Sequence, residues 1–356
     1  MNKNATKKNT PKLHLSVIDK WVMCFYNYHE TESISLPEAN PKRRENMTLG
    51  NTKRRMGLPA VCYAAALLLG ILLMLVDHRT VYGADGVAYI DADGTAQTQD
   101  GVTEITNTTS QLNDGWYVVN KTLDIYSTVS VTGDVSLILS DGCTLTINNG
   151  TITVNPNASL TIYGQTAGTG HLIANLGIGV EAGSTSVGNI TINGGKVTAT
   201  GETTGSAGIG GAFRATVGDI TINGGEVTAT GGDTAAGIGG SYQGVVGNIT
   251  INGGTVKATG GSDGAGIGSG NRGTSDSITI SGGTVTAKGG QNGAGIGGGE
   301  YCDAGNITIT GGQVTAVGGD NAACIGCGRM SDGGSVRITG GKVTARLTQG
   351  ERGTEK

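Results

Sequence analysis

The sequence predicts an all-β chain and, within that class, a single-stranded parallel β-helix: a β-solenoid with three short strands in each coil of about 29 residues. Three observations predict it. Glycine makes up 66 of 356 residues while charged residues are 15% and aromatics 4%; each glycine costs a helix up to ~1 kcal/mol, which excludes a helical bundle. Two short landmarks recur in one register. Ile178, Ile209, Ile238, Ile267, Ile296 and Ile325 each sit in a small-residue–Ile–Gly element, and Ile190, Ile220, Ile249, Ile278, Ile307 and Val336 each open an Ile-Thr-Ile-Asn-Gly-Gly element or a variant of it. A fixed period of this kind marks a repeat architecture. Finally, apolar and polar residues alternate inside each copy, the pattern of a half-buried strand.

Residues 1–46 share nothing with the rest and read as a cytoplasmic tail or an upstream start that is not the true one; Met47 and Met56 are more ordinary starts. Residues 47–84 read as a signal peptide. Lys53, Arg54 and Arg55 precede an uncharged run from Leu58 to Val76, and Val81 and Gly83 suit the −3 and −1 positions of a signal peptidase site. Cleavage there leaves a mature chain starting near Asp85. The rival is an uncleaved type II anchor through 58–76, its basic flank cytoplasmic. Either reading places 85–356 outside the cytoplasm, secreted or at the cell surface, with membrane contact only through 58–76.

Residues 85–115 are expected to cap the solenoid, because an open end exposes strand edges and core. Residues 116–176 carry strand-like runs such as Trp116–Val119, Val135–Leu139 and Leu160–Tyr163 and read as two to four irregular coils, with Trp116 and Tyr117 as cap residues. Residues 177–346 hold six copies of the repeat, and 347–356 form a polar tail. In the copy at 220–239, Ile220, Ile222, Val227 and Ala229 should point inward, and Thr221, Thr228 and Thr230 outward. Asn223-Gly224-Gly225 and Gly231-Gly232-Asp233 supply corners that tolerate positive φ. Such a unit cannot bury its apolar face alone, but stacked in parallel at ~4.8 Å it can. The crossover preference makes the solenoid right-handed. A β-propeller is the runner-up, but its blades need about 40 residues; an antiparallel sandwich gives no reason for identical register.

Charge is divided unevenly. Residues 1–84 carry 12 Lys/Arg against 6 Asp/Glu, and 85–356 carry 12 against 22. An acidic body argues against nucleic acid, whose binding rests on Lys/Arg neutralising phosphates.

ILSDGCTLTINNG at 138–150, SLTIYGQTAGTG at 159–170 and the GAGIGG and ITINGG repeats resemble a family of secreted surface proteins of Gram-positive gut bacteria. The resemblance covers about 88–346. It implies export, a β-helical repeat array, and a carbohydrate-binding or adhesin-like role. Members often continue into wall-attachment domains.

Few residues point to chemistry. Polysaccharide-degrading β-helices need clustered carboxylates or a calcium site with a base, and no carboxylate pair recurs in register. His171 is the one histidine after residue 84. We expect no enzyme, no cofactor and no metal; a polysaccharide lyase or hydrolase remains an alternative. Asp233, Asp263 and Asp320 drift by one position between coils and read as turn formers. Asn193, Asn223 and Asn252 share a column that suits amide stacking, and the Asn-x-Thr matches at Asn189, Asn248 and Asn306 follow from the repeat. Cys324 and Cys327 form a C-x-x-C where the repeat places small residues; buried thiols are the first reading, and a disulfide from Cys302 to Cys324 or Cys327 the second. The Thr-x-Thr pairs at Thr198 and Thr228 break at Lys257, so no ice-binding face is expected.

One loop column has character. Phe213-Arg214, Tyr242-Gln243, Asn271-Arg272, Glu300-Tyr301 and Arg329-Met330 follow the repeat isoleucine by four and five residues. Aromatic faces stack on sugar C–H surfaces, and Arg or Gln can bond hydroxyls. Phe213, Arg214, Tyr242, Gln243, Arg272 and Tyr301 are therefore the candidate ligand-binding residues, with glycans or cell-surface polysaccharide as the partner. The other reading of these aromatics is that they only cover the adjacent coil. At the level of the whole chain, the other class is a structural stalk acting through protein contacts.

Overall fold

The computed structural model describes residues 83–179, 185–202 and 205–348. The proposed tail, the signal or anchor segment up to residue 82, and residues 349–356 lie outside them. Among the described residues there is no helix, and three parallel sheets run the length of the body. Sheet 1 holds Gly115–Val119, Asp134–Leu139, Ser159–Gly164, Asn189–Ile192, Ile220–Ile222, Val245–Ile251, Thr274–Ile280, Asn306–Ile309 and Ser335–Ile338. Sheet 2 runs from Leu123–Ile125 through Lys196–Thr200 and Glu226–Thr230 to Lys342–Leu347. Sheet 3 is narrower and runs from Gln111–Leu112 through Ile152–Val154 to the Ile-Gly pairs that end at Ile325–Gly326. The chain visits the sheets in turn. Each strand pairs with its equivalent one coil on: Ile220 with Ile249, Val227 with Val256, Ile238 with Ile267. That is a parallel β-helix, as the spacing predicts.

The alternation decides what faces inward. Ile220, Ile222, Val227, Ala229 and Ile238 are fully buried, and Thr221, Thr228 and Thr230 are half-exposed. Isoleucine and valine columns fill the interior, each stacked on its copy at the parallel-strand spacing. The corner from sheet 1 to sheet 2 turns at Gly225, whose φ is +82°. The Ile-Gly element has a sharper cause. Gly239 sits at φ +131°, and a Cβ there would lie 1.9 Å from the carbonyl oxygen of Gly268. Only glycine fits such a backbone.

The earlier coils are shorter. Gly115 pairs with Val135, a step of 20 residues; Asp134 with Ser159, a step of 25; Ser159 with Asn189, a step of 30. Their corners are held by individual side chains. The Asp141 carboxylate accepts the N–H groups of Ala167 and Thr169, both at 2.9 Å, across to the next coil.

The expected cap at 85–115 divides into two parts. Thr103–Glu104 and Gln111–Leu112 begin sheets 1 and 3 and bury Ile105 and Leu112 in the core. The antiparallel hairpin of Val87–Ile90 and Ala96–Gln99 instead covers the outer face of sheet 1. There Tyr89 lies 4.9 Å from both Trp116 and Tyr163, and Trp116 stacks on Tyr163 at 5.2 Å. Trp116 thus belongs to a flank cluster rather than to an end cap. Tyr117 packs against the core, and its hydroxyl accepts the Asn113 N–H at 3.0 Å. At the other end, Val336 and Ile338 are 44% and 48% exposed, where Ile307 and Ile309 one coil earlier are buried.

Candidate functional site

The candidate column occupies the turn from sheet 3 to sheet 1. Four-residue turns close it: Ala215 N–H donates to Ala212 O at 3.1 Å, Gly244 to Ser241 at 3.0 Å, Gly273 to Gly270 at 3.2 Å and Cys302 to Gly299 at 3.1 Å. The third residue of each turn is left-handed, Arg214 (φ 59°), Gln243 (53°), Arg272 (54°) and Tyr301 (60°), and so is Met330 (62°) at the same place one coil on. Glycine is the ordinary occupant of such a site, and a residue with a Cβ there costs roughly 1–2 kcal/mol. The next coil holds the conformation in place. Arg214 N–H donates to Tyr242 O at 2.8 Å, Gln243 to Asn271 at 2.8 Å, Arg272 to Glu300 at 2.9 Å and Tyr301 to Arg329 at 2.8 Å.

The structure brings the candidate residues into one strip but in two columns. Phe213, Tyr242, Asn271, Glu300 and Arg329 form the first; Arg214, Gln243, Arg272, Tyr301 and Met330 form the second. The three aromatics therefore do not share a column: Tyr301 follows Tyr242 by 59 residues, one more than two coils. Phe213 and Tyr242 stack with centroids 5.3 Å apart and planes 2° from parallel. The Arg214 guanidinium lies 4.9 Å from the Phe213 centroid, and its Nε donates to Gln243 Oε1 at 2.8 Å. Arg272 lies over Tyr301 at 4.4 Å. At least one face of each ring expected to meet a sugar is thus engaged inside the strip, which also offers guanidinium donors and an amide.

A buried polar network lies beneath the strip, and the apolar–polar alternation carries no sign of it. Asn271 Nδ2 donates to Asp263 Oδ2 and to Glu300 Oε2, both at 3.1 Å. Glu300, almost fully buried, pairs with Arg329 at 2.7 Å, and Asn292 donates to Asp263 at 2.8 Å. Asp263 is therefore tied into the corner and is not simply a turn former. A buried carboxylate without such donors would be costly. Only the 29-residue register, applied to polar residues as well as aromatic ones, could have flagged Asn271 above Glu300.

The remaining candidates are structural. Asn223 Nδ2 donates to Asn193 Oδ1 and Asn252 Nδ2 to Asn223 Oδ1, both at 2.8 Å, and Ser281 continues the ladder at 2.7 Å. Asn189 and Asn248 both bond Asp219. The cysteines 143, 302, 324 and 327 are free. Cys302 and Cys327 are not joined. The Cys302 thiol donates to Gly270 O at 2.9 Å and the Cys327 thiol to Gly333 O at 2.7 Å, each satisfied at its own corner. Burial pushes the Cys302 thiol up. His171, on the outer face of sheet 2, has Nε2 2.9 Å from Thr198 Oγ1. Burial, with the nearby Lys196 charge adding to it, holds its pKa below the ordinary value. Lys196 in turn pairs with exposed Glu226 at 3.2 Å.

A family model described as Beta helix repeat matches residues 190–213, 220–242, 249–271, 278–300 and 307–329. Each matched stretch starts on the inward isoleucine of a sheet 1 strand and ends in the candidate turn. No curated protein and no solved structure matches the chain. Residues 190–329 are thus similar to the Beta helix repeat family, and the described residues fold as a parallel β-helix.

Proposed function

We propose that the chain is an exported β-helix repeat protein that works by binding rather than by catalysis, with glycans as its ligand class and the left-handed turn strip as its contact surface. One observation carries this reading. Five successive coils place Arg214, Gln243, Arg272, Tyr301 and Met330 in a backbone that favours glycine, although glycine fills the equivalent left-handed site at the Gly225 corner. Strain kept in register points to side chains that are needed there. Export is supported by Lys53–Arg55 followed by the uncharged run Leu58–Val76. The resemblance to surface proteins of gut bacteria supports sugars as the partner.

A glycan array probed with the full chain tests the ligand class. A hit that is lost in Tyr242→Ala, with the β-sheet circular dichroism unchanged, is the expected result. No hit would favour a stalk acting through protein contacts, and release of reducing ends or unsaturated sugars would make the protein an enzyme. Mass spectrometry of the natural product should find a first residue near Ala84 or Asp85; an intact chain in the membrane fraction would establish the anchor instead.

A further inference from the structure

We infer that the strip reads an acidic glycan carrying one anionic group per disaccharide, with Arg214 and Arg272 taking successive acids. This rests on the glycan reading above and names its chemical class. Among the described residues the ion pairs are Lys196–Glu226 and Arg329–Glu300, so Arg214 and Arg272 have no carboxylate partner. Both are exposed. These two unpaired guanidinium groups share one column and each lies beside an aromatic ring.

Their stacking matters as much as their charge. Arg214 lies against Phe213 and Arg272 against Tyr301. A guanidinium held against a ring has less rotamer freedom to lose; Arg214 spends its Nε–H on Gln243 and keeps its Nη donors for a carboxylate or sulfate, and Arg272 keeps its fork. The spacing then selects the polymer. Arg214 and Arg272 are two coils apart, about 9.6 Å at the parallel-strand rise, close to the length of one disaccharide. Gln243 stands between them, where the intervening neutral sugar would present hydroxyls. Recognition of the acids falls to the charged forks, with the Phe213–Tyr242 stack as the platform that holds Arg214.

The probes are hyaluronan oligosaccharides, with one carboxylate per disaccharide, the same oligosaccharides after carboxyl reduction, and oligogalacturonate, with a carboxylate on every sugar. Binding of each to the full chain is measured by calorimetry at two salt concentrations. The expected result is that hyaluronan binds best, more weakly at high salt. Arg214→Gln and Arg272→Gln should each weaken it about tenfold, the scale of one charged hydrogen bond. Arg272→Gly separates function from fold: it should weaken binding equally while melting stays level or rises, because glycine relieves the left-handed backbone. Equal binding of acidic and reduced forms, or Arg272→Gln binding like the parent, overturns the acid reading and leaves the glycan reading standing. Tighter binding of oligogalacturonate overturns the spacing, and so does hyaluronan failing to bind while other glycans do. Absence of binding to every glycan overturns both readings. A lower melting temperature in Arg272→Gly makes the arginine structural and overturns its assigned role.

Discussion

Two stretches of the same solenoid solve the corner problem differently. From Gly115 to Gly179 the coil lengthens from 20 to 25 to 30 residues, so the strands stay in register while the loops between them differ in length from coil to coil. Asp141 pins one such loop through Ala167 and Thr169, whereas the corner entering sheet 1 is already a column, in which the Asp134 N–H donates to Asp114 Oδ1 and the Ser159 hydroxyl to Asp134 Oδ1, both at 2.7 Å. From Ile209 onward the step is constant, and one residue type can be stacked. Asn223, Asn252 and Ser281 extend a ladder that begins at Asn193, one 30-residue step before, and the sheet 3 glycines pack against one another. Sheet 3 marks the change: Thr153, in an ordinary strand, pairs with Gly179, the first of the left-handed glycines. A constant coil length lets one interaction be reused in every coil. The same constancy makes a column fragile, because each member rests on the next.

The comparison can be broken most severely at the core. Ile238→Asp should cost about 3–5 kcal/mol, since an unpartnered charge enters the stack, and hydrogen exchange should rise in the coils on both sides. Thr228→Asp, on the outer face of that coil, should shift melting little; equal shifts would refute the inside/outside assignment. Next comes Gly239→Ala, which sets a Cβ against Gly268 O and should cost about 3 kcal/mol. Its upstream counterpart Thr153→Ala, in an ordinary strand, loses only the bond to Thr151 and should cost about 1 kcal/mol. If the two proved equal, the change in sheet 3 would have no energetic meaning.

Smaller effects separate local pins from columns. Asp141→Ala removes a carboxylate bound by several donors and should cost about 2 kcal/mol, with the added exchange confined to 140–170. Asn223→Ala breaks a ladder at one rung and should cost about 1 kcal/mol, with the added exchange reaching both the Asn193 and the Asn252 corners. The smallest effect lies at the junction of the two regions. His171 has its folded pKa below an ordinary value of 6.5, so the unfolded chain binds the proton more readily. Stability should therefore fall as pH drops below 6.5 and level off below the folded pKa. His171→Gln should flatten that part of a melting-temperature profile, and an unchanged profile would mean another group titrates there.

Much of this was legible in the residues. The Ile-Thr-Ile and Val-Thr-Ala alternations gave the inward faces, and the Asn223 column was assigned to a ladder that the 2.8 Å bonds bear out. The hairpin's place was not legible, because Trp116 and Tyr163 gain their partner Tyr89 only when residues distant in sequence meet across the face of sheet 1. Nor was the true register of Tyr301, since three aromatics in similar loops look equivalent until positions are counted coil by coil.

By itself the sequence determined the coil: its period, its three strands and which side of each strand is dry. Those follow from short-range alternation and a constant repeat length, both visible in a single line of text. Tertiary structure alone decided the left-handed turns at Arg214, Gln243, Arg272 and Tyr301, because nothing in those residue types calls for positive φ. The carbonyls of Tyr242, Asn271, Glu300 and Arg329, each one coil further on, draw the turn N–H groups into that shape. It also decided that Asn271 and Glu300 would go inward beneath a strip whose other members stay exposed. That choice depends on Asp263, eight residues earlier in the same coil, accepting from Asn271, and on Arg329 arriving from the next coil to pair with Glu300; a buried carboxylate without such a partner would be costly.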